Sequence, residues 1–188
     1  MPITGTGWEM HVIRKSEQRR KTDGKRRTVG SYQVYHDGVA QTGAGMFGTM
    51  AETKGPGANK PAENGLRIEQ GRYPLYTQGG DDYVTYGYKE TESPSAKPKP
   101  GILVGRTNKR TGILIHPGKL FLSSIGCLNP CTSLPNETEM IDYAPSRRRV
   151  IALIENLKTY TGAGFPGTNG RLIPNAFLVV DGEPVFGG

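Results

Sequence analysis

Turn signals divide this chain into segments too short for a helical bundle: Asp23-Gly24, Asp37-Gly38, Asn64-Gly65, Asn108 to Gly112, Pro117-Gly118 and Asp181-Gly182. Each supplies a residue that tolerates positive φ or a ring that stops a regular element. Gly 27 and Pro 14 in 188 residues, with 35% hydrophobic residues, point the same way, to short strands, tight turns and surface loops. The length suits one domain with a real core, residues 1–188. The expected fold class is therefore mainly β: a single β-rich domain, sandwich or barrel-like sheet, with one main α-helix near the C-terminus.

Trp8 to Arg14 reads as a first strand, and a basic run from Arg14 to Arg27 turns at Asp23-Gly24. Val29 to His36 alternates as a strand, whereas 43–64 is rich in glycine, proline and small polar residues and reads as a long loop over the active site. Tyr73 and Leu75 share one face of a strand that follows Gly71. Tyr83, Tyr86 and Tyr88 form a tyrosine-rich stretch, and Glu90 to Pro100 a polar, proline-rich loop. Ile102 to Gly105 and Ile113 to Ile115 form a hairpin ending at His116. Val150, Leu153, Ile154 and Leu157 recur at three and four, which predicts a helix over Arg147 to Tyr160 with Ser146 as its cap and Gly162 as its stop. Ala176 to Val180 closes the fold as a last strand.

Chemistry concentrates in Gly112 to Cys131, GILIHPGKLFLSSIGCLNPC, where an apolar strand, an imidazole and a thiol share one short span. The strand delivers His116 to its rim, Pro117-Gly118 breaks it, and the turn through Gly126 presents Cys127, 11 positions on. A cysteine attacks as thiolate, and a neighbouring imidazole takes its proton, so the pair is the minimum set for acyl transfer. The bland alternative is a small core residue and a polar rim residue.

The net charge of +7 predicts attraction to polyanions without choosing among nucleic acid, anionic glycopolymer and acidic membrane. No long apolar segment spans a membrane, and no basic-then-apolar stretch reads as a secretory signal. Two cysteines four apart, Cys127 and Cys131, make neither a disulfide framework nor a zinc signature. His11 and His36 lie inside strand-like segments, where packing is the commoner role. The rival from another class is a basic nucleic-acid-binding or phage-particle structural protein in which Arg14 to Arg27 is the working element.

The order histidine, glycine-containing turn, then Ser124-x-Gly126-Cys127 resembles the active-site signature of YkuD-type L,D-transpeptidases. It is closest to compact relatives, some of them delivered toxins or phage-associated proteins. Two positions depart from the family pattern, Ile125 after the motif serine and Asn129 where an arginine is usual. The resemblance implies Cys127 as nucleophile, His116 as general base, and Ser124 and Gly126 as supports of the loop. The N–H groups of Cys127 and Gly126 would hold the oxyanion. Arg106 and Arg72, on elements flanking the proposed cleft, would bind stem carboxylates, and Tyr73 would form part of the cleft wall or pack in the core. It implies no cofactor and no metal. The activity implied is cysteine-dependent acyl transfer on peptidoglycan stem peptides, as L,D-transpeptidase, L,D-carboxypeptidase or D-amino-acid exchange. A chain of this kind is made in the cytoplasm without a signal peptide and acts in the periplasm or at the cell wall after non-classical delivery. Its partners would be stem peptides, a secretion-system or phage carrier and an immunity protein.

Overall fold

The computed structural model describes residues 2–185, so the ends of the expected 1–188 domain, Met1 and 186–188, lie outside the described residues. Alternation builds the longest strands. In β1 (Trp8–Arg19), Trp8, Met10 and Val12 are fully buried, and in β2 (Arg26–His36) Tyr32 and Val34 enter the same core. The two pair antiparallel around the expected hairpin tip, with a register shift between Arg14 and Ser16. The first strand runs further than Arg14 because its later residues form buried ion pairs. Arg14 bonds Glu52 through two guanidinium nitrogens, and Glu17 accepts from Arg67 at 2.7 Å.

The remaining strands are β3 (Val39–Ala40), β4 (Phe47–Thr53), β5 (Gly71–Thr77), β6 (Tyr83–Val84), β7 (Lys99–Pro100), β8 (Ile102–Val104), β9 (Leu114–Ile115), β10 (Asn129–Cys131) and β11 (Leu172–Asp181). One sheet runs β10-β4-β2-β1-β11-β5-β8-β9, with β3 beside β2; β6 and β7 form a separate parallel pair. The first and last strands, β1 and β11, lie parallel in the middle of this order. β4 corrects the expectation of one loop over 43–64. Phe47 to Thr53 carries no periodic apolar signal, yet it is held on both sides, by β2 and by β10.

The two ends of the order meet. Ile115 bridges Leu128 in parallel, with Leu128 N donating to Leu114 O at 2.8 Å and His116 N to Leu128 O at 3.0 Å. The sheet thus closes nearly into a barrel, satisfying edges that would otherwise present unpaired backbone groups. The seam falls between β9 and β10, the segment that carries His116 and Cys127.

The single α-helix among the described residues, α1 (Tyr143–Thr161), buries Val150, Leu153, Ile154 and Leu157 in the cluster that contains Trp8, Met10, Leu178 and Val180. Gly162 ends it at φ 57, as expected, but it begins before Arg147. Asp142 stands at the N-cap, Pro145 is accommodated in the first turn, and Ser146 is an interior residue rather than the cap. Its hydroxyl is drawn elsewhere: it donates to Pro130 O and accepts from Gly118 N at 2.8 Å. That one side chain fixes the strand after Cys127 and the turn after His116 to the same helix.

Candidate active site

Residues 116–128 bridge the seam, and local bonds set their path. Ser124 Oγ accepts from Gly126 N at 3.0 Å and donates to Cys127 O at 2.8 Å, folding the turn on itself. Gly126 has φ 152, and a Cβ there would collide with the Arg110 guanidinium, so glycine is required by both backbone and neighbour. Arg110 is buried and acts as a clasp. It donates to Ile125 O at 3.1 Å, and its other terminal nitrogen donates to Ala58 O and Leu66 O. The 54–70 loop is thereby tied to the cysteine turn, with Ala62 and Glu63 lining a cavity of about 250 Å³ beside Cys127.

Cys127 Sγ accepts from Leu114 N at 3.3 Å and donates to Gly112 O at 3.7 Å, which seats it against the segment that leads through β9 into His116. Burial pushes the thiol above its ordinary value, while the Leu114 N–H, the Ser124 hydroxyl and the Arg110 charge pull it down by less. His116 is buried. Its Nδ1 lies 2.9 Å from Pro117 O, and since a carbonyl can only accept, Nδ1 carries the proton and Nε2 keeps a lone pair. Asn129 Nδ2 donates to His116 O at 2.9 Å and fixes the backbone behind the ring. Burial drives the imidazole down to about 4, the Pro117 carbonyl opposes, and the nearby Lys99 charge adds to the fall. At neutral pH the couple therefore rests as a neutral thiol and a neutral imidazole. The imidazole and thiol share no hydrogen bond with each other.

Tyr83 packs against the imidazole. Its ring centroid lies 4.4 Å from that of His116 at 38°, and burial together with the Cys127 charge pushes its phenol up to about 12. Sequence reading placed Tyr83 only in a tyrosine-rich stretch. The parallel pairing of β6 with β7 sets it here, an interaction between segments that no local pattern reveals.

The other expected site residues are dispersed. The Gly126 N–H is engaged by Ser124 and is not a free oxyanion donor, whereas the Cys127 N–H has no hydrogen-bond partner among the described residues. Arg72 bonds Glu9 and lies over the Phe177 ring at 3.6 Å. Tyr73 is buried, donating to Glu69 O at 2.7 Å and accepting from Asn59 at 3.0 Å, so it packs rather than faces a cleft. Arg106 is exposed on the loop between β8 and β9 at φ 57. The basic run is largely engaged within the fold. Arg20 pairs with Asp23, Arg26 with Glu17, and fully buried Arg27 donates to Phe121 O and Asn136 O. Cys131 points away into a second small cluster with Val29, Ala51, Leu134 and Ile141, and both thiols are free.

No family model, curated protein or solved structure matches this chain. No helix of the described residues is long and apolar enough to cross a membrane.

Proposed function

We propose that the chain is a cysteine-dependent acyltransferase of the L,D-transpeptidase type, acting on peptidoglycan stem peptides in the periplasm or at the cell wall. One observation carries this reading: closure of the sheet seats the Cys127 thiol against the strand that delivers His116, whose Nε2 lone pair is left unengaged by the protein. The substrate class comes from the resemblance of Ser124-x-Gly126-Cys127 and the preceding histidine to that family.

In the proposed reaction His116 Nε2 takes the thiol proton as sulfur attacks an amide carbonyl beside a D-amino acid. The Cys127 N–H, which has no hydrogen-bond partner among the described residues, would supply the donor to the developing oxyanion. The C–N bond breaks, the imidazolium returns the proton to the leaving amine, and a thioester remains on Cys127. An acceptor amine then releases it as a cross-link or exchanged residue, or water releases it as the trimmed peptide, and the thiol is restored. A neutral resting pair suits this sequence, because burial disfavours the thiolate–imidazolium pair until substrate is present to accept the charge.

The test is conversion of defined muropeptides by wild type, Cys127→Ala and His116→Ala. Cys127→Ala is expected to abolish turnover and His116→Ala to lower it by roughly a hundredfold to ten-thousandfold. Conversion retained by folded Cys127→Ala would end the proposal.

A further inference from the structure

Beside Tyr83 lies a cavity of about 530 Å³ between the 82–99 segment and the 119–123 turn. Three lysines, Lys97, Lys99 and Lys119, converge on it, against one carboxylate, Asp82. Asp82 is committed to Lys97 at 2.6 Å, leaving Lys99 and Lys119 without a carboxylate partner among the described residues. The lysines also act on one another. Lys99 is pulled below its ordinary value by burial and by the charges of Lys97 and Lys119, with Asp82 opposing. Such a concentration of like charge in a hollow is relieved by an anion.

Two contacts connect this hollow to the reacting groups. Lys99 Nζ lies 5.5 Å from the centroid of the Tyr83 ring, and the same ring lies against His116. The 119–123 turn, closed by Lys119 N donating to Ser123 Oγ at 2.7 Å, leads directly into the Ser124–Cys127 turn. A ligand held by Lys99 and Lys119 therefore sits against Tyr83, the ring that packs on the imidazole.

We propose that Lys99 and Lys119 form a carboxylate subsite that holds a free carboxylate of the peptide substrate next to the amide presented to Cys127. This subsite rests on the acyl-transfer reading for its ligand, but not for its charge. Substrates bearing a free carboxylate near the scissile bond are then bound and oriented, and amidated counterparts are poor. Two phosphate oxygens would meet the same lysines, and the competition arm below separates the sources.

The experiment has two readouts on wild type, Lys99→Gln, Lys119→Gln and the double variant. The first is the ratio of Cys127 alkylation rates by iodoacetate and iodoacetamide, which senses the local field without requiring any enzymatic turnover. The double variant is expected to lower that ratio by about fivefold, with high salt shrinking the difference. The second is acylation of Cys127 by a stem peptide carrying its free carboxylate and by its amidated form. The free acid is expected to lose its advantage over the amide in the variants, and inorganic phosphate at millimolar concentration is expected not to protect. An unchanged iodoacetate ratio overturns the subsite whatever the peptides do. Protection by phosphate alone, with acid and amide peptides equivalent, overturns its assignment to a carboxylate. Absence of acylation by every peptide, with the ratio changed, overturns the acyl-transfer reading and leaves an anion site.

Discussion

The main-chain N–H of Leu114 donates to the Cys127 thiol at 3.3 Å across the seam where the sheet closes on itself. Fold and site are thus one event: the same closure that pairs Ile115 with Leu128 sets the thiol against the histidine-bearing strand.

The two cysteines are expected to differ sharply toward alkylating agents. Cys131 is fully buried, with its thiol pushed up to about 12, while Cys127 is partly accessible and less strongly raised. Native protein should take up one equivalent of iodoacetamide, at Cys127. Its rate should still be climbing at pH 9, because the thiolate fraction grows until the pH passes the raised value. Arg110→Gln removes a charge that lowers that value, so alkylation at fixed pH should slow. Intact mass against pH and time checks this; rapid labelling of Cys131, or a plateau below pH 8, would contradict it.

His116 makes stability depend on acid. Its value falls from 6.5 to about 4 on folding, so between these limits the unfolded chain binds a proton that the folded chain refuses. The contribution is complete above pH 6.5 and is lost as pH falls toward 4, by about 3 kcal/mol. Urea unfolding of wild type and His116→Gln at pH 7 and pH 4.5 measures it. The difference in stability between the two pH values should shrink in the variant; equal pH dependence in both would mean that His116 is not buried as a neutral ring.

Ser146→Ala should weaken the fold and the site together. It removes the acceptor for Gly118 N and the donor to Pro130 O, both buried, and unpaired buried groups cost about 1–3 kcal/mol. A lowered urea midpoint with an unchanged slope is expected, together with slower alkylation-sensitive closure of the seam, read as faster hydrogen exchange at Leu128 N. An unchanged midpoint would show that the tie is dispensable.

The strands with regular alternation were legible from residues alone, as was the apolar stripe of the helix, because periodicity is a local property of sequence. The start of that helix was not legible, since Ser146 satisfies the local cap pattern yet is claimed by Gly118 and Pro130. β4 escaped notice because Phe47 to Thr53 is stabilised by neighbours on both sides rather than by its own pattern. His116 and Cys127 were visible as chemistry in one short span. Tyr83, Arg110 and Lys99 were not, because each reaches the site through pairing or side-chain contacts between segments far apart in the chain. Arg72 and Tyr73, expected beside the cleft, are taken up by Glu9 and by Glu69 and Asn59 instead.

The acyl-transfer account is tested most directly by the intact mass of the protein during reaction with a defined stem peptide under reducing conditions. The expected result is a transient adduct of one acyl group, mapped to Cys127, that disappears when an acceptor amine is added. Cys127→Ala should form none, and His116→Ala should form it far more slowly. Consumption of the peptide without any adduct in wild type and unchanged in Cys127→Ala, or no reaction with any stem peptide while the thiol remains free and the protein folded, would contradict it.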